Sequence, residues 1–535
     1  MKALFAARTI LGVVLCALCV LLAGCGAGSI PSLAAGNISG TQNPLVAVYT
    51  IKSECAGQAM VEFGTTTNYG RTTAWYPANG YYQPTSILVA GMTPSTTYHL
   101  RGQLQCGSEI VATPDSTFTT GPLPAINFPT LTVTRPNPSV TSPENPGIEL
   151  VDIDADSDPA LFTDRDGKVI WYYPSPQDNY SLATLRILPN GHVIMSWVNG
   201  GSGSADSFLQ EVDLAGNTIH KLDIKTLSAQ LQQHGYPFAG AFHHEILPLP
   251  NGHLLVLVNT YKDYTNLLGY PGTTDVQGDM IVDLDQNWNI AWVWDSFDFD
   301  GKGLDINRHL NGLPDWTHSN ALVYLPQDGN ILISMRHQSW VLKLDYNNGA
   351  GTGNIIWHLG YEGNKYGAGF ALTVDGVPED DPINWFSFQH FPSLVSQNGS
   401  QTTLSIWDNG NDRVLDTISD SNICLISPVG PPCYSRATIF QVDESSMVAN
   451  LTWADTQPPF GEWGGSINQL GNGNVEFDLN DPEFPPSPAL GSYVQEVTQT
   501  PTPQVVWQMD MTPVSASAYR AYRVPSLYPG VTWQF

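Results

Sequence analysis

Positive charge is scarce in this sequence. Lys and Arg number 21 against 49 Asp and Glu, a formal net charge of -28 at pH 7. Nucleic-acid phosphates would be repelled by such a chain, which argues against nucleic acid as a partner. The acidity names no other partner, because acidic surfaces often serve only solubility. Charged residues of both signs make up 13%, whereas Gly (49) and Pro (40) are plentiful. That mix suits many short strands joined by turns better than long helices. Other absences narrow the chemistry. There is no GxxxxGK[ST] loop to cradle a nucleotide and no HExxH spacing; beyond the N-terminal leader there is no CxxC either. After that leader no segment approaches the roughly 20 apolar residues needed to span a bilayer.

The leader itself reads as a targeting signal. Met1-Lys2 and Arg8 supply positive charge, and ILGVVLCALCVLLAG supplies the apolar stretch. It ends in LAGC, Leu22 to Cys25, which resembles a bacterial lipobox. Residues 1–24 are then a lipoprotein signal peptide, Cys25 is the lipidated residue, and 25–39 form a Gly/Ser/Pro-containing tether. The expected location is the periplasmic face of a membrane or the cell surface. Export makes disulfides expected among the remaining cysteines, Cys55, Cys106, Cys424 and Cys433. Proximity suggests Cys55–Cys106 and Cys424–Cys433, although four cysteines permit three pairings.

At 535 residues the chain is long enough for two domains. Residues 40–122 show short strands with Gly, Asn and Pro turns. Within them GMTPSTTYHLR, with Tyr98, resembles the fibronectin type III signature, which implies a small β-sandwich. A Pro-rich stretch, GPLPAINFPTLTVTRPNPSVTSPENP, marks a linker or the start of the next domain. From 126 to 535 a unit recurs. Five hairpins carry a glycine turn, as in LRILPNGHVIMSW and ALVYLPQDGNILISM, and five others often end in Trp, as in MIVDLDQNWNIAWVW. The turn glycines Gly191, Gly252, Gly329, Gly399 and Gly473 lie 61, 77, 70 and 74 residues apart. Four strands per repeat of this length are the makings of a β-propeller blade. The expected fold is all-β: a six-bladed propeller behind an N-terminal sandwich.

Histidines fall in step with this repeat. His244, His318 and His390 precede their turn glycines by 8, 11 and 9 residues, near the start of equivalent strands. Arg336 follows Gly329 by 7 residues, so hairpin pairing returns it to the end of the sheet that holds His318. Such strands would line a central channel, where three imidazoles and a guanidinium converge. The arginine opposes a cation, so no metal is expected there. An oxyanion fits better, because arginine donates in a fork and histidine can donate or attack. The run DIDADSD, Asp152 to Asp158, has alternating carboxylates but lacks the Gly and distal Glu of a calcium loop.

The blocks FHHEILPLPNG, DWTHSNAL, SMRHQSWVLKLD, FSFQHFPSL, IWDNGNDR and YSRATIFQVD occur in order over roughly residues 145–530. Together they resemble the bacterial arylsulfate sulfotransferases, which work without the nucleotide donor PAPS. The resemblance implies a six-bladed propeller that moves a sulfuryl group from a phenolic sulfate ester to a phenol by a ping-pong route. It makes His390 the nucleophile that becomes a sulfohistidine. His318 and Arg336 hold the sulfate oxygens, and His244 shares the pocket, preferred over His243 because an acidic residue, Glu245, follows it. Asn320, two residues beyond His318, would face the same channel by strand alternation and add a donor. No cofactor is implied. The family usually has Phe before DNG, where this chain has Trp407. Two rival outcomes stay open, a propeller that only binds ligands and an aryl-sulfate hydrolase. The oligomeric state also stays open, a homodimer included.

Overall fold

Two burial patterns divide the chain. In Thr97–Cys106 buried residues alternate with half-exposed ones, whereas Ile148–Ile153 and Ser207–Val212 are buried at every position. The first pattern belongs to a sheet with one wet face, the second to a sheet covered on both. These patterns come from a computed structural model that describes residues 33–137, 143–153, 157–200, 206–308, 314–379, 381–411, 434–480, 491–513 and 517–533. The leader, Cys25, Cys424 and Cys433 lie outside the described residues, as does the centre of the Asp152–Asp158 run.

The one-sided strands form two antiparallel sheets near the N-terminus. One holds Asn37–Gly40, Ala47–Lys52 and Pro84–Val89; the other is built around Gly57–Gly64 and Thr97–Cys106. Tyr49, Val61, Phe63 and Leu100 are fully buried in their shared core. Cys55 and Cys106 are disulfide-bonded, with Cα atoms 6.1 Å apart.

Six further sheets follow. Each has one strand that contacts the corresponding strand of the next sheet, and these are labelled β1 (Tyr180–Ile187), β2 (Phe242–Pro248), β3 (Ser319–Leu325), β4 (His390–Asn398), β5 (Ser466–Gln469) and β6 (Ala518–Val524). β1 touches β2, β2 touches β3, and so on to β6. Ile148–Ile153, hydrogen-bonded beside β6, touches β1 in turn. The hairpin glycines Gly191, Gly252, Gly329, Gly399 and Gly473 all have positive φ, from 59° to 86°. A side chain is disfavoured in that conformation, so these turns need glycine.

Chain ends interlock in the last two sheets. β6 pairs with Ile148–Ile153, followed by Ala160–Thr163 and Val169–Tyr173. The fifth sheet takes Thr130–Thr134 as its outer strand, against Val505–Thr512. Part of the Pro-rich stretch is therefore sheet. Arg523 on β6 pins the junction through ion pairs with buried Glu149, Glu476 and Glu496 from three other strands. The C-terminal segment then returns to the N-terminal sheets. Trp533 Nε1 donates to Thr72 O at 2.8 Å, and Tyr528 Oη donates to Leu88 O at 2.9 Å. Among the described residues no helix is long and apolar enough to cross a membrane.

Candidate active site

The strands that meet between sheets are irregular at one end. Register breaks occur between Leu182 and Thr184 in β1, His243 and Ile246 in β2, Ser319 and Ala321 in β3, and His390 and Ser393 in β4. In β6 the break leaves Tyr519 unmatched. A bulge adds a residue to one strand and re-aims its side chain. His244, His318 and Phe391 have φ of 51°, 45° and 44°, a left-handed backbone uncommon outside glycine. Three of the residues left unmatched, Ala183, His244 and Tyr519, turn toward a common point.

A cavity of about 420 Å³ lies there. His244, His318, Arg336 and His390 line it, as the sequence led one to expect, joined by Glu462, Trp463 and Tyr519 on one side. Ser181, Ala183 and Val198 form a wall of small side chains. The rings are close: His244 to His318 is 5.1 Å between centroids, His244 to Tyr519 is 5.4 Å, and His390 to Tyr519 is 6.0 Å. Arg336 N donates to His318 O at 3.3 Å, which places the pair opposite each other as hairpin register requires.

His390 is buried, and its Nδ1 lies 2.7 Å from Asn409 Oδ1. Asn409 Nδ2 donates to Gly461 O at 2.9 Å and Gly464 O at 3.0 Å. Two carbonyls fix that side of the amide as nitrogen, so its oxygen faces the imidazole as an acceptor. His390 therefore carries hydrogen on Nδ1 and a lone pair on Nε2. Burial, then the nearby Arg336 charge, pushes its pKa well below 6.5 and keeps it neutral.

His318 has a different partner. Its Nδ1 lies 2.5 Å from Asp315 Oδ2. Burial alone would raise the Asp315 carboxyl. The charge and hydrogen bond of His318, with His337 and His243 beyond, instead hold it well below the usual carboxylate range. Behind His244, His243 Nδ1 sits 2.8 Å from His244 Nδ1, and His243 Nε2 is 3.3 Å from Asp279 Oδ1. Burial, followed by the charges of His243 and His318, drives His244 well below its ordinary pKa.

Two expected site residues stand behind the wall instead of in it. His243 is buried and supports His244. Asn320 is fully buried, and its Nδ2 donates to Gln389 O at 2.7 Å, next to His390. The bulge at Asn320 breaks the alternation that would have faced it to the channel.

Arg336 donates to His337 Nε2 at 2.9 Å and Glu462 O at 3.2 Å, while its Nε has no hydrogen-bond partner among the described residues. A buried cation with an open donor suits an oxyanion. Asp315, His318 and His337 offer ligand atoms within 4.8 Å of one another, a spacing a metal ion could use. Both ring nitrogens of His337 are already engaged, by Asp315 O at 2.7 Å and by Arg336. The adjacent guanidinium also opposes a cation, so the donor set favours an anion. Beneath the cavity lies Arg520, unmarked by the sequence reading. It is fully buried, pairs with Glu245 at 3.0 Å, and Glu245 pairs in turn with Arg186 at 2.5 Å. Its signal was present in AYRAYRV, where two arginines interrupt an otherwise core-like strand.

Residues 135–523 match the family model described as Arylsulfotransferase (ASST). The arylsulfate sulfotransferase AssT of Escherichia coli O6:H1 is 24% identical over 284 residues, covering 44% of this chain and 44% of that protein. The match thus spans less than half the length of that relative. The periplasmic gluconolactonase PpgL of Pseudomonas aeruginosa aligns over 71% of this chain and 99% of its own, at 11% identity and a TM-score of 0.37, a likeness too slight to specify a fold.

Proposed function

The chain belongs to the arylsulfotransferase family, and from that premise we propose that it moves a sulfuryl group from a phenolic sulfate ester to a phenol through a sulfohistidine at His390. The observation that carries this reading is the neutral, buried His390, whose Nδ1 is committed to Asn409 and whose Nε2 is left to attack. A covalent histidine splits the transfer into two steps, the ping-pong pattern. Sulfuryl transfer resembles phosphoryl transfer in passing a loose transition state with charge spread over peripheral oxygens. Arg336, with its open Nε, is the principal donor to those oxygens, and preorganised donors of this kind contribute several kcal/mol. Trp463 and Tyr519 flank the aryl ring, and Ser181, Ala183 and Val198 leave room for it. No nucleotide and no metal takes part.

On the same reading the six sheets in succession are the blades of a propeller, with β6 closing the ring against N-terminal strands. Residues 40–122 are a fibronectin III-like module, 126–535 the catalytic domain, and Cys25 a lipid anchor after export.

The test is release of 4-nitrophenol from 4-nitrophenyl sulfate with and without phenol. Phenol-dependent release is expected. Release without an acceptor would make the protein a hydrolase, and no release would make it a binder. His390→Asn should lower turnover to background; retained turnover would remove His390 from the mechanism.

A further inference from the structure

One end of the N-terminal sheets meets the rest of the chain. There Asn43 Nδ2 donates to Tyr172 O at 3.0 Å, Gln42 reaches Asn217, and the Trp533 ring packs on Gly91 and Phe63. The opposite end is built from three loops. Gly57 lies opposite Ala78, Gln58 opposite Gln105, and Gln105 opposite Ile110, so residues 53–56, 79–83 and 106–109 stand side by side. The Cys55–Cys106 bond ties two of these loops together. Among residues 37–119 the large apolar side chains that stand mostly in solvent are Tyr81 at 82%, Tyr82 at 60% and Ile110 at 53%, and all three are at this end.

This tip is held in a costly shape. Gln83 N donates to Gly80 O at 2.9 Å, and the two residues between them, Tyr81 and Tyr82, have left-handed φ of 50° and 58°. Such turns favour Asn and Gly, and a bulky side chain there is strained. The turn is pinned along its inner side. Tyr81 N donates to Glu54 O at 2.9 Å, Tyr82 N donates to Ser53 O at 2.6 Å, and a Cβ on Gly80 would meet Ala56 N at 2.4 Å. Both phenol rings are left outside. The chain also enters the sheets from this end. Asn37 lies opposite Thr50, and Lys52 lies opposite Pro84, two residues past Tyr82. Cys25 precedes Asn37 by 12 residues, which extended reach at most about 40 Å.

Resting on the reading of Cys25 as a lipid anchor, we propose that Tyr81, Tyr82 and Ile110 form a docking tip that enters the interfacial layer of the bilayer holding that anchor. Tyrosine suits this depth, because its ring is apolar and its hydroxyl stays wet. Lys52 stands against Glu54 and Glu109 among the exposed charges here, so the tip carries little net charge. Docking therefore rests on apolar area, not on attraction to anionic lipid. A tethered chain meets the bilayer at high effective concentration, so three side chains suffice where they would not hold a free protein. Thr97–Cys106, 10 residues long, runs from one end of the N-terminal sheets to the other and spans about 30 Å. With the tip in the bilayer, the six later sheets and their cavity stand off the surface by about that length.

The experiment puts the photocrosslinker p-benzoylphenylalanine in place of Tyr81 in the full chain, expressed in a bacterium that processes lipoproteins, and irradiates intact cell envelopes. Position 81 is exposed, so the replacement leaves the core untouched. The same replacement at exposed Thr67, in the loop at the other end of the sheets, is the control. The peptide holding residue 81 should gain the mass of a phospholipid, at a yield at least about tenfold above that at residue 67. Equal yields at the two positions, or no adduct at residue 81, overturn the proposal. An adduct of saccharide mass overturns it as well and makes the tip a glycan platform. The N-terminal peptide is weighed in the same sample. A Cys25 without a diacylglyceryl group removes the anchor reading and the proposal that rests on it; a lipidated Cys25 with residue 81 free of lipid removes only the docking tip.

Discussion

Asn409 commits both amide protons to the carbonyls of Gly461 and Gly464, and its remaining oxygen dictates the tautomer of His390. This predicts two separable variants. Asn409→Leu removes the acceptor and should lower kcat/KM at least about a hundredfold, because Nε2 no longer holds the lone pair reliably. Asn409→Asp keeps an acceptor but adds a charge that stabilises the imidazolium. Burial and Arg336 hold wild-type His390 well below 6.5, so its attack should show no acid limb near that value. The Asp variant should acquire one, with turnover rising as pH rises. A pH-rate profile for both variants is the check, and superimposable profiles for the Asp variant and wild type would contradict the role. At this scale much was legible in the sequence. The spacing of His244, His318, His390 and Arg336 against the turn glycines brought four of the cavity residues together. Asn409 and Asp315 lay inside quoted blocks, yet nothing in a linear reading says that an amide 19 residues away meets Nδ1.

Among the elements, the ten hairpins could be read from glycine turns and alternating apolar residues. The bulges could not, because a period of two assumes that every residue is matched. That assumption misplaced Asn320 and left His243 and His244 undecided, whereas the register break after His243 settles which ring reaches the cavity. The bulged ends are joined by buried carboxyls. Asp478, on Val475–Asn480, accepts from Ser466 Oγ at the start of β5 and from Ala521 N in β6 at 3.2 Å. Burial pushes its pKa up to about 8. A carboxyl raised in the folded state contributes stability at low pH that is lost as pH climbs from its unfolded value, about 4, through about 8. Asp478→Asn should therefore gain thermal stability relative to wild type as pH rises, by about 5 °C more at pH 9 than at pH 5. Melting curves at the two pH values test this, and a pH-independent difference would contradict it.

For the whole molecule, the ends of the chain hold the parts together. Trp533 is buried against Phe63, 5.7 Å between ring centroids, and a Cβ on Gly91 would meet its ring at 2.2 Å. Trp533→Ala should cost about 3–5 kcal/mol of stability. Proteolysis should then release the N-terminal sheets first, while 4-nitrophenyl sulfate turnover by the intact variant stays within about threefold of wild type, since Trp533 does not line the cavity; an unchanged melting temperature would deny the clasp. This closure was only half legible. The sequence implied that terminal strands complete a ring, but it left the stretch holding Thr130–Thr134 as either linker or the start of the next domain, because a short strand beside prolines has no periodicity to announce it. The central claim is that His390 Nε2 carries the sulfuryl group between donor and acceptor. Its most direct measurement is the mass of the peptide containing His390 after exposure to 4-nitrophenyl sulfate alone. The account predicts a gain of one sulfuryl group on that histidine, discharged when phenol is added; a peptide of unchanged mass in protein that transfers sulfate to phenol would contradict it.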